Sequence, residues 1–257
     1  MFQWDFCLYK KDERRLYKTY HKQSNHNPHT QTITAPRREY EVLSLDTIGA
    51  KKTMDIPNVS QLPPLNISLS DAFLQRRTSW HFSDVEMGKE MLQSLLGYSF
   101  GMSSPKDRKR TYASGGQFYP IEIYFVPTRR TVANGVLEEK VYKFNVDRNE
   151  IVEMKDIDVD SLHKVSAQTD VGYFSFDEAQ IIVFLVANDQ DISVKYMDFS
   201  YRLLLLEAGH MAQNFQLTCT ALGLSSVPMG GFHEVVVHQL LGIEDHSYMT
   251  VYTLLGG

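Results

Sequence analysis

The chain has 257 residues, 43% of them hydrophobic and 22% charged, enough to bury a sizeable core as one large domain or two small ones. Its 26 basic and 31 acidic side chains leave a net charge of −5, a poor match to a generic nucleic-acid binder or to attachment on anionic lipid. No apolar run approaches the ~20 residues of a membrane span, and residues 1–10 lack the basic-then-apolar pattern of a secretory signal. Cys7 and Cys219 have no metal-ligand spacing and suit a reducing compartment, so the expected location is the cytoplasm.

Residues 1–60 are polar and weakly periodic, which predicts an N-terminal extension ahead of a main domain over 61–257. Pro63-Pro64 forces extended backbone. Ser68 or Ser70 is placed to cap a short helix over 71–77. A second helix is predicted over 85–98, with Met87, Met91, Leu92, Leu95 and Leu96 on one side. The basic run at 103–110 reads as a solvated turn. Strands are predicted at 121–126, 141–144 and 179–187, the last a continuous apolar run fit for burial on both faces. A long helix follows over 197–222, then a short helix over 234–241 stopped by Gly242, then a strand over 249–255. Interleaved strands and helices place the chain in the α+β or α/β class with a central sheet.

Four segments have the composition of a ligand site. Arg76-Arg77-Thr78-Ser79 offers forked cations and hydroxyls to a phosphate, although the same arginines also complement a helix C-terminus. Ser114-Gly115-Gly116 and Gly230-Gly231 let bare backbone N–H groups approach a planar or anionic ligand, or simply make turns. Lys195 and Tyr196 stand at the mouth of the long helix, where burial of the lysine would make an acid–base pair. On that helix Leu203–Leu206 read as core, Glu207 with Gln213 or Asn214 as a substrate contact or helix tie, and His210 as a structural residue. No dinucleotide fingerprint or P-loop occurs.

In order, these pieces resemble the SagB-type dehydrogenases of the FMN-dependent nitroreductase superfamily. RRTSWHF (76–82) is similar to the family's RRSxRxF, and YASGGQFYPIE (112–122) to its PSGGxxYPxE. KYMDFSYRLLLLEAGHMAQN (195–214) is similar to KYxxRxYRxxLLExGHxxQN, and GLSSVPMGGF (223–232) to a glycine-rich segment ending in Gly-Gly-Phe. Tyr20-His21 matches an early Tyr-His, so the likeness covers most of the chain. Trp80 departs from a basic residue, Ala113 from a proline, and Phe199-Ser200 from Arg-Gly; the sequence ends at Gly256-Gly257 without the basic tail of ordinary nitroreductases.

The resemblance implies an α+β nitroreductase-like fold, with a mostly antiparallel sheet flanked by helices and two intertwined subunits binding FMN between them. It assigns Arg76, Arg77 and Thr78 to the FMN phosphate and ribityl chain. Ser114, Gly115 and Gln117 would reach the flavin from the partner subunit, with Gly230 and Gly231 at its polar edge. It assigns Lys195 and Tyr196 to catalysis. The implied reaction is oxidation of a thiazoline or oxazoline ring to the azole in a ribosomally made peptide, beside a cyclodehydratase that shares the precursor peptide. Residues 1–60 would be a docking region. A reductase of nitro, quinone or dehydroamino-acid substrates is the alternative. A flavin-free scaffold subunit is another, motivated by Trp80 and the absent tail.

Overall fold

The structure, a computed structural model, describes residues 16–24, 51–166 and 175–257. Most of the expected 1–60 extension, Cys7 included, lies outside the described residues. In chain order the elements are α1 (Leu16–Gln23), β1 (Lys52–Asp55), α2 (Leu69–Gln75), α3 (Lys89–Phe100), β2 (Met102–Ser104) and β3 (Lys109–Arg110). Then come β4 (Ile121–Pro127), α4 (Arg129–Ala133), β5 (Lys140–Asn145), β6 (Glu150–Asp156) and β7 (Ile181–Asn188). The chain continues through α5 (Gln190–Tyr196), α6 (Phe199–Ala221), β8 (Ser226–Met229), α7 (Glu234–Leu241) and β9 (Tyr248–Gly256).

A sheet of seven strands, in the order β1-β6-β5-β4-β7-β9-β8, forms the centre, and every neighbouring pair is antiparallel. β7 is buried along all but its last residue because both sheet faces are covered. Side chains alternate between faces along a strand. Ile181, Val183 and Leu185 therefore join one core with Ile121, Ile123 and Phe125, under α3 and α6. Ile182, Phe184 and Val186 join the other, under α7 and the turn of 3-10 helix at Val159–Val165. Phe100 of α3 stacks on Phe215 of α6 at 6.0 Å, locking the two helices over the first face. The expected α+β class with an antiparallel sheet between helices is the class observed. On the second face Lys143 and Glu122 form an ion pair at 2.8 Å, both largely buried.

Several boundaries follow side-chain chemistry that the sequence pattern hides. The second predicted helix begins at Lys89, not 85. The Gln180 amide donates to the Val85 carbonyl (2.7 Å) and accepts the Met87 N–H (2.6 Å), holding that segment extended while Met87 is buried. The first predicted helix ends at Gln75, with Ser68 as its N-cap accepting from the Asp71 N–H, so Arg76-Arg77 lie just beyond it. The run at 103–110 is the β2–β3 ribbon rather than a plain turn, and it turns Arg110 inward. β1 pairs with β6 at the sheet edge, so part of the stretch assigned to the extension is sheet. The long helix and α7 fall where predicted; Gly242 ends α7 in the left-handed region, at φ 74°.

Candidate active site

The predicted residues fall into two groups. The first lines the outer edge of the sheet. Thr78 makes a parallel bridge to Ser226, and the Ser79 N–H donates to the Ser226 carbonyl at 3.2 Å. The backbone after α2 is thereby pinned to the start of β8, whose far end delivers Gly230-Gly231. Arg76 donates through Nη1 to the Gln216 amide on α6 at 3.1 Å. Arg77 and Thr78 are exposed. Gly230 and Gly231 are exposed as well, and a Cβ at Gly230 would meet nothing within 4 Å. The Gly231 carbonyl accepts from the Ser166 hydroxyl (2.8 Å) and the His233 N–H donates to Val165 (2.7 Å), which anchors the glycine segment while leaving its surface bare.

The second group surrounds the Lys195–Tyr196 pair at the end of α5. The turn at 114–117 passes beside it. Gly116 has φ 64°, and a Cβ there would stand 2.8 Å from the Tyr196 hydroxyl. Phe118 meets Tyr196 edge-on at 6.0 Å, and Phe199 closes the other side at 6.3 Å. The Lys195 ammonium lies 5.4 Å from the Phe118 ring centre and 5.2 Å from that of Tyr196, a cation held over aromatic faces and in no ion pair among the described residues. Ser114 accepts the Tyr119 N–H at 2.9 Å. Gln117, Tyr119 and Met197 all have positive φ (60°, 50° and 45°), so backbone strain is stored both in the turn segment and directly after the Lys195–Tyr196 pair. None of the contacts just named joins the two groups.

The structure sharpens or corrects the reading of several residues. Gly116, not Gly115, is the glycine that Tyr196 requires. Gly115 serves the helix side, where an added Cβ would stand 3.0 Å from Leu203. Glu207 is not a surface substrate contact but is buried at 1% exposure, and neither carboxylate oxygen has a hydrogen bond of standard geometry among the described residues. Burial pushes it up to about 7, against smaller downward pulls from the Ser114 hydroxyl and Arg110. Burial also pushes the Tyr112 phenol up to about 12, so it stays neutral. Asn214 is the helix tie, donating to the carbonyls of Thr111 (3.0 Å) and Ser99 (3.4 Å). His210 is exposed on α6 and has no core role.

The sequence profile of the nitroreductase family matches residues 73–256, which takes in both groups. The chain belongs to the nitroreductase family. Among nitroreductase-family relatives, a protein of Methanocaldococcus jannaschii named as a candidate nitroreductase is 31% identical over 198 residues, covering 77% of this chain and 94% of its own length. The microcin B17-processing protein McbC of Escherichia coli is 24% identical over 209 residues, covering 79% of this chain and 74% of its own. A chain of the E. coli microcin synthetase McbBCD complex, solved with truncated pro-MccB17, shares the nitroreductase fold with a TM-score of 0.60 at 20% identity. That match covers 94% of this chain and 91% of the other. A nitroreductase-family structure from Ralstonia eutropha gives a TM-score of 0.62 at 18% identity, covering 81% and 95% of the two chains.

Proposed function

We propose that this nitroreductase-family oxidoreductase is an FMN-dependent dehydrogenase that oxidises azoline rings to azoles in a ribosomally made, modified peptide. The observation that carries the reading is the Lys195–Tyr196 pair packed on the Ser-Gly-Gly turn, with the Tyr196 hydroxyl filling the space a Cβ at Gly116 would need. The similarity to McbC supports it.

The residues present fit a flavin nucleotide. Arg76, Arg77 and Thr78 supply cations and a hydroxyl at one end of β8, and Gly230-Gly231 supply uncovered backbone at the other, roughly 13 Å along the strand. They would hold the phosphate and ribityl chain and face the ring's polar edge, respectively. When bound, the flavin supplies the hydride acceptor that oxidation of the azoline ring requires. Tyr196 or Lys195 takes the proton from the ring carbon, and the rings of Phe118 and Phe199 fix the tyrosine's orientation and exclude water from it. Ser114, Gly115 and Gln117 would approach the flavin of a partner subunit. Leu69, Phe73 and Leu74 on α2 and Leu205 and Leu206 on α6 are exposed apolar side chains that fit a second copy. A cyclodehydratase and a precursor peptide complete the proposed assembly, in keeping with the complex from which the E. coli neighbour was solved.

The test uses the purified protein with a thiazoline-bearing peptide in air. Flavin absorbance near ~450 nm and loss of two hydrogens per ring are expected. Lys195→Ala and Tyr196→Phe should keep the absorbance and lose about 10²–10⁴-fold in turnover. A colourless protein, or variants with unchanged turnover, would overturn the reading. The M. jannaschii relative favours a second reading, reduction of nitro or quinone compounds by NAD(P)H. NAD(P)H consumption with those acceptors and no peptide oxidation would select it.

A further inference from the structure

The buried Glu207 has no part in the chemistry above, yet it lies directly behind the turn that touches Tyr196. The turn is sandwiched. On its helix side Gly115 faces Leu203, one helical turn before Glu207 on the same face of α6. On its outer side Gly116 faces the Tyr196 hydroxyl. Ser114 begins the turn, and because its oxygen accepts from the Tyr119 N–H, its own proton is free to point at Glu207.

The remaining groups around Glu207 come from the β2–β3 ribbon and the segment after it. Arg110 donates through Nη1 to the Tyr112 hydroxyl at 2.9 Å and lies 4.5 Å from the Tyr119 ring centre. Its Nη2 reaches Asp147, in the β5–β6 connection, at 3.4 Å. Among the described residues its Nε is buried without a hydrogen-bond partner of standard geometry, as are both oxygens of Glu207. Tyr112 is neutral, and His210 on α6 is exposed. A buried carboxylate with a buried, unpaired guanidinium N–H within electrostatic reach has two stable arrangements. As an acid it needs only the serine. As an anion it must draw Arg110 toward itself or lie uncompensated. Arg110 also accepts the weight of Tyr119, whose N–H holds Ser114, so that movement is transmitted to the turn.

We propose that Glu207 is a positioning residue that holds the 114–117 turn against Tyr196, and that it does so as the neutral acid. The assignment of Tyr196 to catalysis rests on the proposed function; the packing does not.

The experiment follows Tyr196 in protein labelled with ¹³Cζ-tyrosine, its signal assigned by Tyr196→Phe. In the wild type the signal is expected to move with pH, with a midpoint near 7, the value at which burial places Glu207. In Glu207→Gln it should hold the low-pH wild-type position throughout. A wild-type signal that stays fixed between about pH 5.5 and 8.5, or one that moves alike in Glu207→Gln, would overturn the proposal. This reading needs neither flavin nor peptide, so it stands apart from the fate of the assigned reaction. In turnover, Glu207→Leu should lower kcat about 10–100-fold with little change in KM, and Glu207→Gln should restore it and flatten the pH profile. Equal kcat in Glu207→Leu and wild type would also overturn it.

Discussion

Replacing Glu207 by glutamine should stabilise the protein at alkaline pH and not at acid pH. The carboxyl ionises near 4.5 in the unfolded chain and about 7 in the fold, because burial disfavours the charge. Between those values the unfolded state has lost a proton that the native state keeps, so stability falls as pH rises from about 4.5 to about 7 and is level above. At about 1.4 kcal/mol per pH unit, the loss reaches about 3 kcal/mol. Glutamine has the same shape and no charge to bury. Its stability relative to wild type should therefore rise by about 3 kcal/mol between about pH 4.5 and 8, roughly 6–12 °C in melting temperature for a chain of this size. Reversible urea unfolding of both proteins across that range reads the difference directly. Parallel curves for the two proteins would mean that Glu207 is paired in a way the structure does not contain.

Other positions give sharp expectations. Gly116→Ala must place a Cβ 2.8 Å from the Tyr196 hydroxyl at φ 64°, so it should cost about 1–3 kcal/mol in urea unfolding and displace the tyrosine. Met197→Gly should relieve strain of about 1–3 kcal/mol at φ 45° and lose about 0.5–1 kcal/mol to chain entropy, a net gain in melting temperature bought with a looser Lys195–Tyr196 pair and lower kcat. Removing one side of the buried ion pair, as in Glu122→Leu, should destabilise by about 3–5 kcal/mol, whereas replacing both Glu122 and Lys143 by apolar residues of similar volume should cost far less in the same assay.

What the sequence made legible was whatever rests on pattern within a short window. The apolar run of β7, the span of α6 and the glycine stop of α7 are each fixed by local composition, but the expectation that Leu203–Leu206 are all core fails, since Leu205 and Leu206 are exposed. The start of α3 was not, because the hydrogen bonds that keep residues 85–88 out of the helix come from Gln180, more than ninety positions away. β6 was missed because Glu153 and Lys155 interrupt its apolar residues. β1 is a short edge strand made visible only by its partner. In the candidate site, the motifs marked segments and blurred the packing of the residues within them. Ser-Gly-Gly marks a turn, but only the fold tells which glycine carries Tyr196. A glutamate in a leucine-rich helix signals nothing about whether its carboxyl has a partner.

β9 lies between β7 and β8 although both precede it in the chain, and among the described residues β8 pairs with no other strand of the sheet. The strand that leads to Gly230-Gly231 and bridges to Thr78 therefore docks only after residues 248–256 are in place. Without them β7 would keep an open edge that is apolar from Ile181 to Ala187, an invitation to pair with another molecule. The edge that carries Gly230-Gly231 thus waits for a strand that follows it in the chain. A ligand held on that edge, such as the flavin proposed above, would be captured only once β9 has joined the sheet, and its capture would report that this step is complete.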